Sequence, residues 1–266
     1  MKKSRISISD IFVKKLSERS WRLMLRADLA DIWVMSGGSK SRVAYGIGQM
    51  KNRWIIESIG GGIFSIWPYL SSLLKEREWE GDSIEQFYWQ IISLLIKSHA
   101  PSGAIIAHEK AMEIHLRNYE IPSRLVLYTR DTDKRLRVGN YDIHFRTLRT
   151  GEKSGVKNMY RILSDMSEEG SIEWEKLRYL GLEASLLDVA SLRIHDIGVA
   201  EDLILRFLRK YGGRLSRTHL GELVQYRYIR AINRIRSLSK THGFSGLYED
   251  CLDIIKKEGG GCYLNL

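Results

Sequence analysis

Three observations predict an α+β chain built from an N-terminal winged helix-turn-helix, a mixed α/β domain and a helical C-terminal tail. Two helical patterns flank Gly37-Gly38 and lead into two β-rich runs joined by Gly60-Gly61-Gly62. Positive charge is concentrated at that end: residues 1–67 hold 12 Lys/Arg against 5 Asp/Glu, the remainder 30 against 27, within a net charge of +10. From Leu182 onward the apolar spacing is nearly all helical. The charge asymmetry is the electrostatic footprint of a polyanion-binding module, with a solvated basic face as the plain alternative.

Ser9 is placed to cap a first helix whose buried side is Ile11, Phe12 and Leu16. Trp21 to Leu25 begins with polar–apolar alternation and predicts a short strand. Ala27 to Met35 reads as a helix, with Asp28 in the first turn, where negative charge suits the helix dipole. Ser36-Gly37-Gly38 ends it, because glycine reaches positive φ without a Cβ penalty. Ser39 caps the next helix, which runs to Arg53. Val43, Ile47 and Met50 fall at i, i+4 and i+7 and make its buried stripe.

In a helix-turn-helix this second helix enters the major groove, leading with its N-terminal residues. Ser41, Arg42, Tyr45 and Gln49 are the candidates for base edges, Arg pairing with guanine and Gln with adenine. Lys40, Lys51 and Arg53 are the candidates for phosphate contacts, which orient without specifying. Gly46 and Gly48 permit either close packing or close backbone approach, and the sequence leaves both open. Trp54 to Ile59 and Ile63 to Trp67 predict two strands. Gly60, Gly61 and Gly62 form the hairpin tip, a wing that would lie against the sugar-phosphate backbone. Without DNA, the same pattern is an ordinary helical hairpin followed by a β-hairpin.

Pro68 to Gly81 reads as a junction, dividing a DNA-binding domain (1–80) from an α/β domain with a helical extension (81–266). Ser83 and Gln86 form a capping box for a helix through Lys97, with Ile84, Phe87, Ile91 and Leu94/Leu95 facing the core. Ala104 to Ala107 predicts a buried strand, His108 to Asn118 a helix, Arg124 to Thr129 and Tyr141 to Arg146 two strands. Between these strands lies the charged turn Arg130 to Arg135. Lys157 to Met166 reads as helix and Leu177 to Leu180 as a weak strand. Arg206, Arg209, Lys210, Arg214, Arg217, Arg227, Arg230, Arg234, Arg236 and Lys240 form a second basic stretch, interleaved with Tyr226 and Tyr228. It is either a second surface for an acidic ligand or a solvated helix face.

Several chemistries fail on spacing. Gly38-Ser39-Lys40-Ser41 lacks the glycine spacing of a phosphate-binding loop, and His108-Glu109 lacks the second histidine of a zinc protease helix. Cys251 and Cys262 give neither a disulfide framework nor metal-ligand spacing, and fit a reducing cytosol. The apolar stretch near Ile91–Ile96 falls far short of the roughly 18 residues of a membrane span. No cofactor or metal is expected. The alternative from another class is a metal-dependent nuclease or nucleotidyltransferase using Asp131, Asp133 and Asp142.

An ordered set of segments resembles the AbiE-type antitoxins, the regulator halves of type IV toxin–antitoxin and abortive-infection systems. The segments are Gly103-Ala104-Ile105-Ile106-Ala107-His108-Glu109-Lys110-Ala111 with His115, then Leu125-Val126-Leu127-Tyr128, Tyr141-Asp142-Ile143-His144-Phe145, and Leu180-Gly181-Leu182-Glu183-Ala184-Ser185-Leu186-Leu187-Asp188. The resemblance spans roughly residues 20–240, with a winged helix-turn-helix in front in the same order. It implies a cytoplasmic, non-enzymatic autorepressor that binds inverted repeats in its own promoter as a monomer or homodimer. It further implies that the C-terminal domain counters a nucleotidyltransferase-like toxin. By position, Ser39 to Arg53 becomes the recognition helix and Gly60 to Gly62 the wing tip. Glu183 and Asp188 become structural residues of an E-x-x-L-L-D-like segment.

Overall fold

A computed structural model of the chain describes residues 7–17, 23–53, 55–66, 84–85, 87–148, 159–192 and 197–258. Expectations resting on Trp21, Trp54, Trp67, the junction 68–81, Ser83, Gln86 and Cys262 lie outside them. The structure is mixed α/β with two sheets. It divides into two compact units, Met1–Pro101 with Leu136–Asp142, and Ser102–Arg135 with Ile143–Leu266.

The first unit contains α1 (Ile8–Ser17), β1 (Leu23–Leu25), α2 (Arg26–Met35), a 3-10 turn (Lys40–Arg42), α3 (Val43–Asn52), β2 (Ile56–Gly60), β3 (Ile63–Ile66) and α4 (Tyr88–His99). Ser7, not the expected Ser9, caps α1: its Oγ accepts the Asp10 N–H at 3.1 Å and donates to Asp10 Oδ2 at 2.7 Å. The helix starts at Ile8, so Ser9 falls inside its first turn. Asp28 accepts the Leu25 N–H at 3.0 Å, closing the start of α2. Gly37 then takes φ +94° and ends the helix. The third helix also starts later than expected. Ser39 precedes the 3-10 turn, and Arg42 occupies the capping position of α3.

Phe12, Leu16, Leu29, Ile32, Trp33, Ile47 and Met50 close the core of α1, α2 and α3, with Val43 packed at its margin. Beneath them lies an antiparallel sheet of order β1-β3-β2. Helix α4 packs against β1 and β3. It buries Tyr88, Trp89, Ile91, Ile92 and Leu95, more of its circumference than a single apolar stripe. Helix α4 belongs to the first compact unit, Met1–Pro101 with Leu136–Asp142.

Trp33 resolves the open question about the two helical glycines. A Cβ at Gly46 would lie 2.5 Å from the Trp33 ring, whereas one at Gly48 would meet nothing within 4 Å. Gly46→Ala should therefore destabilise the unit by about 1–3 kcal/mol of overpacking, outweighing the roughly 1 kcal/mol gain in helix propensity. Gly48→Ala should stabilise by about 1 kcal/mol. Thermal melts of the two variants are expected to shift in opposite directions.

The second unit is built around β4 (Ala104–Ile106), α5 (His108–His115), β5 (Arg124–Thr129), α6 (Met159–Asp165), β8 (Ser167–Ile172), β9 (Glu175–Leu180) and α7 (Leu182–Ser191). With β6 (Lys134–Val138) and β7 (Tyr141–Thr147), the larger sheet has the order β6-β7-β5-β4-β9-β8. Strand β4 pairs antiparallel with β5 and parallel with β9. The expected helical tail comprises α8 (Ile197–Tyr211), α9 (Arg217–Leu223), a π-turn (Val224–Tyr228), α10 (Ile229–Thr241) and α11 (Ser245–Lys257). Helix α7, buried over nearly its whole length, packs against α5, α8, α9 and α10.

Candidate functional site

The turn before α3 and the helix itself expose most of the residues expected to contact DNA. Ser39, Lys40, Ser41, Arg42, Tyr45, Lys51 and Arg53 are exposed, and Gln49 is half-buried. Tyr45 is 62% exposed, so its ring contributes little to the core. Core packing fixes the turn and helix from beneath. Trp33 donates its indole N–H to the Ser39 carbonyl at 3.1 Å, tying the 3-10 turn to α2. Ile47 and Met50 anchor α3 from the opposite side. Ser39 Oγ and Ser41 Oγ lie 3.1 Å apart, which stiffens the turn. Arg53 lies 3.6 Å from Asp10, so part of its charge is answered within the unit.

Two of the three hairpin glycines have close neighbours within the unit. Gly60, Gly61 and Gly62 have φ of +107°, +61° and +80°, the left-handed conformations that require glycine. A Cβ on Gly60 would lie 2.5 Å from the Arg137 carbonyl oxygen, and one on Gly61 2.6 Å from Leu95. His99 Nε2 is 3.1 Å from the Gly61 carbonyl. Gly60 and Gly61 thus serve close intramolecular approach. Gly62 is exposed, and a Cβ there would meet nothing within 4 Å.

Of the acids considered for metal chemistry, Asp131 and Asp133 have individual partners. Asp131 accepts from Ser102 at 3.2 Å and lies 3.8 Å from Arg130. Asp133 lies 3.9 Å from His144, whose pKa is lowered by burial and then by Arg135. Asp142 is exposed and belongs to the first unit. Among the described residues, no group of three or more His, Cys, Asp and Glu is arranged to hold a metal ion.

Asp188 is the centre of a buried hydrogen-bond network in the second unit. It accepts from the His108 N–H at 2.9 Å, the Tyr128 hydroxyl at 2.7 Å and the Tyr228 hydroxyl at 3.4 Å. Glu183 accepts the Ser216 N–H at 2.6 Å, holding the start of α9. His115 is buried, with Nε2 2.8 Å from the Leu180 carbonyl and its ring edge-on to Tyr179 and Phe207. Burial lowers its pKa, against the opposing pull of that carbonyl and Glu168. Burial raises the Cys251 thiol to about 12, leaving it protonated and unreactive near neutral pH.

The second basic stretch does not form one face. Arg206 pairs with Asp202, and Arg217 with Asp250 and Asp253. Arg234 turns inward to the carbonyls of Ala190 and Leu192. Lys210 approaches the His115 carbonyl. Arg209, Arg214, Arg230 and Lys240 are exposed, and the Arg227 side chain lies outside the described residues.

No family model matches the chain, and no curated protein does. A solved structure of similar fold is the RV2827C protein from Mycobacterium tuberculosis. It aligns with a TM-score of 0.53 at 16% identity, covering 94% of this chain and 82% of that one. At that identity the likeness speaks to fold alone. Among the described residues, no helix is long and apolar enough to cross a membrane.

Proposed function

We propose that the first unit is a winged helix-turn-helix that binds double-stranded DNA, and that the chain is a cytoplasmic autorepressor and antitoxin of the AbiE type. The observation that carries the DNA reading is the exposed set Lys40, Ser41, Arg42, Tyr45 and Lys51 on a turn and helix anchored from beneath by Trp33, Ile47 and Met50. The order α1, β1, α2, α3, β2, β3, with β3 between β1 and β2, is the order of elements such a module needs. In this reading Arg42 and Gln49 contact bases, while Lys40, Lys51 and Arg53 contact phosphates. Gly60 and Gly61 act by packing the hairpin, which leaves Gly62 as the glycine open to the backbone of DNA. The antitoxin role, directed against a nucleotidyltransferase-like toxin, rests on the resemblance of the later segments and belongs to the second unit.

The test is fluorescence anisotropy with tiled duplexes from the DNA upstream of the chain's own coding sequence, at several salt concentrations. Changing Arg42 or Gln49 to Ala should weaken binding to the preferred duplex by roughly 1–3 kcal/mol and relax preference at one base pair. Lys51→Ala should weaken all duplexes about equally and make the salt slope shallower by about 1. Sequence-specific binding that survives the Arg42→Ala/Gln49→Ala double change would show that this helix is not the reader.

A further inference from the structure

We propose that the β8–β9 hairpin is a docking element for a second copy of this chain, seating Trp174 and its flanking carboxylates on the cationic surface of Lys40, Arg42 and Tyr45. The starting observation is a conflict between the turn and its residues. Ile172 pairs with Glu175, leaving Glu173 and Trp174 as a two-residue loop. Both have positive φ, +46° and +77°. Such a turn favours Asn-Gly, because side chains strain the left-handed backbone. Trp174 is nevertheless 98% exposed, so it recovers no packing within its own chain. A rigid hairpin holding a large aromatic ring in solvent is the form of an interface anchor.

Charge identifies what the anchor fits. Glu173 is exposed and Glu175 half-buried at the tip, beside Lys176; exposed Glu169 lies further along β8, opposite Arg178. This rim repels nucleic acid and anionic lipid. β8 ends the strand order, but pairing two such edges would set Glu168 and Glu169 of each copy against each other. The tip instead complements a cationic surface bearing an exposed aromatic ring. In a chain of net charge +10, Lys40 and Arg42 at the start of α3, with Tyr45 one turn on, supply that surface. Carboxylates meet the ammonium and guanidinium groups, and the indole face accepts a cation. Each copy carries both halves, so the contact either closes reciprocally as a dimer or repeats head-to-tail. Its consequence for regulation, competition between hairpin and DNA for one face, rests on the DNA reading above; the contact itself does not.

Sedimentation velocity of the full chain without DNA, over a range of protein and salt concentrations, tests the contact. Wild type should self-associate at low salt and dissociate as salt rises. Trp174→Gly should weaken association at least tenfold while keeping or raising the melting temperature, since glycine is what the turn favours. Lys40→Glu/Arg42→Glu should weaken it equally, and adding Glu173→Lys/Glu175→Lys to that pair should restore it. A wild-type chain that stays monomeric throughout overturns the proposal. So does association indifferent to Trp174→Gly, or charge reversals that do not compensate. If association follows the expected pattern while no duplex binds, the docking stands and the DNA reading falls.

Discussion

Asp188→Ala is expected to destabilise the second unit by about 3–5 kcal/mol. The carboxylate is 2% exposed and accepts three hydrogen bonds. Its donors are the His108 backbone and the hydroxyls of Tyr128 and Tyr228, both tyrosines also buried. Removing the acceptor strands those donors away from water, at roughly 1–3 kcal/mol for each group left unpaired. Relief from burying a charge offsets part of this sum. The loss also releases His108, whose φ of +57° is held by the bond from its N–H. Asp188→Asn keeps a carbonyl acceptor and should lose less. Urea unfolding followed by circular dichroism measures both, and an unchanged midpoint for the alanine variant would remove Asp188 from the account. The same network gives a pH signature. Burial first, and the Asp188 charge second, raise both tyrosines well above their ordinary value of 10.0. The unfolded chain therefore loses protons first, and stability is full below about pH 10 and falls as pH rises beyond it.

Legibility followed local chemistry. The α3 stripe of Val43, Ile47 and Met50 and the break at Gly37 were readable because spacing and glycine act within a few residues. Strand β5 was readable because it carries an apolar run, and β7 because Tyr141, Ile143 and Phe145 alternate with polar residues. Strands β6 and β8 were not, and both lie at the ends of the sheet order. Lys134-Arg135-Leu136-Arg137-Val138 and Ser167-Glu168-Glu169-Gly170-Ser171-Ile172 are polar because an edge strand has less to bury and gains from charge that discourages further pairing. The turn at Glu173-Trp174 carried no glycine or asparagine to mark it. For the candidate site, the cationic residues were legible one by one. The engagement of Gly60 and Gly61 with Arg137 and Leu95 was not, because those contacts join residues far apart in sequence. The role of α4 was hidden for the same reason.

Trp33→Ala is the other substitution expected to have a large effect, about 3–5 kcal/mol lost from the first unit, the usual range for deleting a buried aromatic ring. The ring is 4% exposed and meets Phe12 edge-on at 5.7 Å. Gly38 and Gly46 lack side chains where the ring passes; a Cβ would come within 2.2 Å at the first and 2.5 Å at the second. Neither glycine can fill the cavity that alanine would leave. Trp33→Phe separates packing from positioning. It retains an aromatic ring but removes the N–H that holds the Ser39 carbonyl, a loss of about 1 kcal/mol with the fold retained. The 3-10 turn carrying Lys40, Ser41 and Arg42 would then be less fixed relative to α3. If this face reads DNA, the phenylalanine variant should bind its preferred duplex more weakly while its contacts to random sequence change little, because phosphate contacts tolerate small displacements better than bidentate base contacts. Equal loss on both duplexes would mean that Trp33 supports the unit's stability alone, and that the indole bond to Ser39 has no part in placing the reading residues.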